Sequence, residues 1–262
     1  MIVKKTIANG ELTLPDEKSE PVETLSEYSI LLYGREKIGK TTFASCFPDA
    51  LFLLFEPGGK ALSIYRREVL TWEQFTGYIR LLRDNKTRFK TIVIDTVDLC
   101  YKQCYEYVCK KLGVDHPSEE DWGLAWNQIK DEFQKQVAMI QKLGRGVIFI
   151  SHATEKELKK RYGGTEHRIL PTMPKQARDI LEPMVDIWMY AQYAEDGGRQ
   201  LVIRGDQMIA AGHRLQNNFI DIDTIPMGKS SREAYENFVA AFDNHTMTSV
   251  RAPEKQKIKI RR

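Results

Sequence analysis

The chain has 262 residues, with 39 Lys and Arg against 36 Asp and Glu, for a formal net charge of +3. One large domain, or one with a small appendage, is expected at that length, and 42% hydrophobic with 29% charged residues of mixed sign excludes a disordered chain and a uniformly basic protein. Apolar runs stop at about five residues, where a membrane span needs about 20; the opening MIVKKTIANGELTLPDE is too polar for a secretory signal; and four cysteines make no disulfide framework, so a reducing cytoplasm and no membrane partner are expected.

Residues 1–27 are polar, with Pro15 and Pro21, and read as an arm ahead of a core domain over 28–245. Within that domain the apolar run 29–33 (SILLY) predicts a buried strand, followed by a glycine, a polar loop and a short helix over 40–46 that Pro48 limits. A second buried strand is 51–55 (LFLLF). Trp72, Phe75, Ile79 and Leu82 stand three and four apart, which predicts an amphipathic helix over 72–84. A third strand, 91–95 (TIVID), precedes the helical stripe Val97, Tyr101, Cys104, Val108 and Leu112, closed by Gly113. Asp98 reads as the cap of that helix. A long helix runs from Trp122 to Leu143, with Trp122 and Trp126 on its packed stripe and Gly144 at its end. The fourth strand is 147–151 (VIFIS).

Continuous apolar strands separated by amphipathic helices predict an α/β fold, mainly parallel, with helices on both faces of the sheet. Beyond Gly163 and Gly164 the character changes. A helix over 174–182 opens on Pro174 at its first position. Residues 185–193 and 199–204, joined by Asp196-Gly197-Gly198, predict a C-terminal β-hairpin. A last amphipathic helix covers 231–243, and 246–262 read as a basic, flexible tail.

The +3 average conceals two basic segments. Residues 155–178 carry +4 and 251–262 carry +5, which leaves −6 for the rest of the chain. The tail suits either non-specific nucleic-acid binding or simple solvation.

Gly34-Arg35-Glu36-Lys37-Ile38-Gly39-Lys40-Thr41 satisfies the phosphate-loop pattern at every fixed position. The glycines let the backbone wrap so that amide N–H groups face the β-phosphate. The following helix presents its positive end to the same oxygens. Lys40 would bridge the β- and γ-phosphates, Thr41 would ligate Mg²⁺, and Thr42 extends the set. Asp95, ending the third strand, is the partner carboxylate expected for the metal. Glu56 directly follows the second strand, at the carboxyl end where ligands of parallel sheets gather, and suits a general base for water. Ser151 and His152 end the fourth strand and suit a γ-phosphate sensor. Cys100 and Cys104 share a helical face and read as core thiols, since the paired Cys units of a zinc site are missing.

The order strand–phosphate loop–helix, strand–Glu56, strand–Asp95, strand–Ser151/His152 resembles the core of RecA/RadA-type recombinase ATPases. The stretch YGREKIGKTTFASCFPDALFLLFEPGGKAL resembles more narrowly the phage-encoded nucleotide-binding proteins of that superfamily, some of which anneal single strands. The resemblance covers about residues 28–215. It implies a RecA-like P-loop NTPase core binding ATP and Mg²⁺, with Lys40 and Thr41 at the phosphates and metal, Asp95 on the metal and Glu56 as the base. It implies a polar sensor at Ser151/His152, where recombinases usually carry glutamine. It implies further a homo-oligomer, host-cytoplasmic location, single-stranded DNA as partner alongside a single-strand-binding protein, and a mobile DNA loop after the fourth strand. At that place stand Lys156, Lys159, Lys160, Arg161 and Arg168 for phosphates, Tyr162 for base stacking, and Gly163–Gly164 for mobility. A solvated charged loop is the plainer reading of the same residues. Arg214 and Lys229 are candidates for the basic residue that a neighbouring subunit contributes. A nucleotide-gated annealing protein with negligible turnover and a small-molecule P-loop kinase are the competing functions.

Overall fold

The computed structural model describes residues 14–159 and 163–247. Apolar strands form its centre. β1 (Ser29–Gly34), β2 (Ala50–Leu54) and the short β3 (Tyr65–Glu68) are followed by β4 (Thr91–Asp95), β5 (Gly146–Lys159) and β6 (Thr165–Pro171). β7 (Ile187–Tyr193), β8 (Arg199–Val202), β9 (Gly212–His213) and β10 (Thr224–Pro226) complete the set. The sheet order is β10-β8-β7-β1-β5-β4-β2-β3, and the run from β7 to β3 is parallel throughout. β8 and β10 extend the β7 edge in antiparallel pairing. The C-terminal hairpin predicted from sequence is therefore a continuation of the main sheet.

The sheet is buried on both sides because its alternate residues feed two separate cores. Leu31, Tyr33, Leu51, Leu53, Ile92 and Ile94 pack against α2 (Trp72–Asp84), α3 (Val97–Leu112), α4 (Leu124–Gln141) and α5 (Lys175–Met184). Ile30, Leu32, Phe52, Leu54 and Val93 pack the other way, against α1 (Lys40–Ala44) and α6 (Ser231–Phe242). Phe43 and Phe238 meet edge to face at 5.6 Å and join those two helices. The mainly parallel α/β architecture expected from the sequence is the one observed. Gly113 closes α3 at φ 74°, a left-handed position that favours glycine.

Several local expectations are corrected. Residues 155–171 are not a mobile loop over their described part. β5 runs on for 14 residues and pairs antiparallel with β6 over seven residue pairs, from Ala153↔Pro171 to Lys159↔Thr165. Trp122 is not core: it is 100% exposed, at φ 61°, and the helix starts only at Leu124. Pro174 stands at the N-cap of α5, not at its first helical position. Asp98 does not cap α3; Thr96 holds the N-cap position, and Asp98 binds across to β5. The predicted long helix stops at Gln141 rather than Leu143. β3 was unexpected, since all four of its residues are exposed.

Residues 14–24 carry no helix or strand, and Leu25 then anchors a short 3-10 turn in the second core. Lys160, Arg161 and Tyr162, the basic tail from residue 248 and the first 13 residues lie outside the described residues. No helix among the described residues is long and apolar enough to cross a membrane.

Candidate functional site

The phosphate loop connects β1 directly to α1. Gly34 ends the strand where a Cβ would meet the Ala191 carbonyl at 2.6 Å, so only glycine fits against β7 there. Gly39 sits at φ 107° immediately before Lys40. Lys40 is only 6% exposed. Its Nζ donates to the Gly34 and Arg35 carbonyls at 2.8 and 2.9 Å. Burial lowers its pKa, partly offset by the carboxylates of Asp95 and Glu56. The loop's own structure thus holds the ammonium on the inside of the wrap.

Strand order brings the remaining groups to the same rim. β5 lies between β1 and β4, with Gly34 level with His152 and Asp95 level with Ile150. Thr41 Oγ1 donates to Asp95 Oδ2 at 2.8 Å. Asp95 is 5% exposed, and burial raises its pKa against the lowering effect of the Thr41 hydrogen bond. β2 is the next strand outward, and Phe55 N–H donates to the Asp95 carbonyl at 2.8 Å, which sets Glu56 beside Asp95. His152 Nε2 lies 3.6 Å from Glu56 Oε1. Glu36, Lys37, Gly39, Lys40, Thr41, Thr42, Glu56, Pro57, Asp95 and His152 line one cleft of about 540 Å³. A neighbouring cleft of about 510 Å³ shares Thr41, Thr42 and Pro57 and continues along Gly58–Leu62. The carboxyl-end rim of a parallel sheet is where such a ligand site is expected.

Some predicted residues stand elsewhere. Ser151 is fully buried and donates to Asp98 Oδ1 at 3.0 Å, so it does not face the cleft. Thr172 Oγ1 donates to the same carboxylate oxygen. The Ile38 side chain is buried in the α1–α6 core, and Arg35 is exposed and outside the cleft lining. Arg214 donates to the Pro183 and Val185 carbonyls at 2.7 and 2.8 Å. Its neighbour His213 pairs with Ile187, the first residue of β7, so it lies at the rim opposite the phosphate loop. Lys229 is exposed in the turn before α6.

On the hairpin, Lys156 and Arg168 stand directly opposite each other. Arg168 Nε contacts Glu166 at 2.9 Å, and His167 contacts Glu155 at 3.0 Å. Lys159 pairs with Thr165 in register, and Gly163 and Gly164 adopt φ 92° and 84°.

Lys37, predicted within the phosphate loop, lines the cleft at φ 60°. One residue escaped the sequence reading. Arg199, on β8, donates from Nη1 to the Ile38 carbonyl at 3.3 Å. The signal for Arg199 was the alternation Arg199–Leu201–Ile203, which places it on the face of its apolar neighbours. Cys100 and Cys104 are buried, and burial pushes both thiols up. No group of three or more metal-ligating His, Cys, Asp or Glu occurs among the described residues.

A phosphate loop on β1, a carboxylate on β4 and a mainly parallel sheet define a P-loop NTPase fold. The chain belongs to the AAA_24 family, an AAA domain, whose profile matches residues 26–215. It is similar to the SPbeta prophage-derived uncharacterized protein YorG of Bacillus subtilis (strain 168), at 27% identity over 206 residues. That match takes in 74% of this chain and 60% of YorG, so the chain spans less than two thirds of that relative's length. Among solved structures, the KaiC-like protein PH0186 from Pyrococcus horikoshii OT3 is similar with a TM-score of 0.47 and 14% identity, over 79% of this chain and 88% of that one.

Proposed function

We propose that the protein is a Mg²⁺-dependent ATPase that acts on single-stranded DNA in phage recombination or replication. The observation that carries the ATPase reading is the Thr41–Asp95 hydrogen bond at 2.8 Å on the cleft that Lys40 and Glu56 also line. A hydroxyl and a carboxylate held together are hard oxygen donors of the kind Mg²⁺ takes. Asp95, buried and raised in pKa, is a carboxylate that a cation would relieve. Thr41 and Asp95 would hold the ion, which when bound neutralises charge on the β- and γ-phosphate oxygens.

The chain's own residues do the rest. Lys40 contacts the phosphate oxygens from within the loop. Glu56 accepts a proton from the attacking water as its oxygen bonds to the γ-phosphorus, and the bond from that phosphorus to the bridging oxygen breaks to release ADP. His152 stands beside Glu56 on the same rim, at 3.6 Å. The second cleft, along Gly58–Leu62, offers room for the nucleoside.

The DNA part of the reading rests on the hairpin. Like charges directly across a ribbon repel, and Lys156 opposite Arg168 is a pair that a phosphate would bridge. The similarity to a prophage-derived protein supports the phage setting. Assembly into a homo-oligomer belongs to the same proposal. The test is the ATPase rate with and without single-stranded DNA across a salt series. Stimulation that fades with salt supports the reading, and a flat response removes the hairpin from it. DNA binding that depends on ATP without turnover would favour a nucleotide-gated annealing protein instead.

A further inference from the structure

The phosphate loop is held from outside as well as from within. Leu201 and Ile203 are fully buried in the α1–α6 core. Period-two alternation puts Arg199 on their face, one step nearer the carboxyl-end rim. There its Nη1 donates to the Ile38 carbonyl at 3.3 Å, and a Cβ on Gly39 would lie 2.8 Å from the same nitrogen. Gly39 is required by its φ of 107°, and the guanidinium packs against its open side. The Arg199 carbonyl accepts from Met227 N–H at 2.8 Å, which ties its strand to the chain leading into α6.

We infer that Arg199 is a positioning residue for the nucleotide: it fixes the Ile38–Gly39 peptide from behind and sets a cation at the back of the phosphate loop. A phosphate loop binds by turning its N–H groups inward, which leaves carbonyls on its outer wall. A guanidinium donating to one of those carbonyls holds the peptide in that orientation and polarises it toward better donation on the inside. It also places a permanent positive charge near the phosphate site. The hairpin β7–β8 thereby becomes part of the nucleotide site without touching the nucleotide. This inference rests on the nucleotide-binding reading above.

The experiment compares Arg199→Met, which keeps the aliphatic stem, and Arg199→Lys, which can restore one hydrogen bond, with the full chain. Dissociation constants for ADP and a non-hydrolysable ATP analogue are measured by titration, alongside nucleotide-free Tm and kcat at saturation. A charged hydrogen bond of this kind corresponds to about ten- to hundred-fold in affinity. The expected result is that loss for Arg199→Met, a partial return for Arg199→Lys, a nucleotide-free Tm close to that of the parent chain and a kcat changed by less than about three-fold. Unchanged affinity in Arg199→Met overturns the inference. So does weakened binding that follows a fall in Tm in both variants, since that is a folding effect. If the parent chain binds neither nucleotide, the reading beneath the inference fails first.

Discussion

Thr41, on α1 just after β1, and Asp95, at the end of β4, are 54 residues apart and meet in a 2.8 Å hydrogen bond although β1 and β4 are not neighbours. β5 separates β1 from β4, so the bond crosses above its end. Asp95 faces the cleft nearly buried, and that has a cost. Burial raises the Asp95 pKa, so its ionised form destabilises the folded chain. The penalty is present in full above the folded pKa and disappears as pH falls toward the ordinary carboxylate value.

Asp95→Asn should therefore stabilise the nucleotide-free protein at neutral pH. The amide oxygen still accepts from Thr41 and the charge is gone. The gain is on the order of 1 kcal/mol, or about 2–4 °C in Tm for a chain of this size. Thermal melts of both proteins across pH check the sign. The advantage of the variant should shrink as pH falls below neutrality, and an advantage that grows would contradict it. In the same variant, Mg²⁺-dependent hydrolysis should be lost.

Glu56→Gln separates turnover from binding. The amide keeps the shape beside His152 but takes no proton. Steady-state ATPase should fall about 10²–10⁴-fold, the usual worth of a positioned general base. ATP affinity, read by titration, should stay within a few-fold of the parent. Equal measurable rates in the two proteins would leave Glu56 without its role, and no rate above background in either would favour the annealing protein of negligible turnover.

The rim was legible in the sequence because its chemistry sits at strand ends. Glu56, Asp95 and His152 each follow an apolar run that could only be a buried strand, and parallel strands deliver their carboxyl ends to one place. The hairpin was not legible. Over 155–159 and 165–168 both faces carry charge, so no apolar alternation marks a strand, and pairing depends on a partner about ten residues on. β3 failed for the same reason, with four exposed residues on an edge. Trp122 fits a helical stripe by spacing alone, but Trp122 and Gly123 at φ 61° and 70° break the helix before the stripe begins. The Arg199 contact requires β7 to join β1, a tertiary fact that no local pattern carries.

Lys156 and Arg168 offer a cleaner test of the ribbon than deletion of its turn. They face each other across the two strands, and neither reaches into the nucleotide cleft. The double change to Gln should weaken single-stranded DNA binding and flatten its dependence on salt. At about 0.7 per phosphate contact, two lost contacts reduce the slope of log K against log salt by about 1.4. Basal ATPase without DNA should not move. An unchanged slope would make these two side chains ordinary solvated charges.

Asp98 gives the last prediction, and it concerns what holds the ribbon to the site. Its Oδ1 accepts from Ser151 at 3.0 Å and from Thr172, so one carboxylate oxygen clasps the end of the buried part of β5 and the segment just after β6. Thr172 N–H also donates to the His152 carbonyl at 3.0 Å, beside Glu56. Asp98→Ala removes two hydrogen bonds to a charged group and should cost about 1–3 kcal/mol. Asp98→Asn keeps an acceptor at Oδ1 and should cost much less. Amide hydrogen exchange gives the discriminating readout. Exchange over 151–159 and 163–172 should quicken in Asp98→Ala while α6, on the far side of the sheet, keeps its protection. A uniform acceleration through the whole chain would mean that Asp98 serves the fold at large and not the junction between hairpin and cleft.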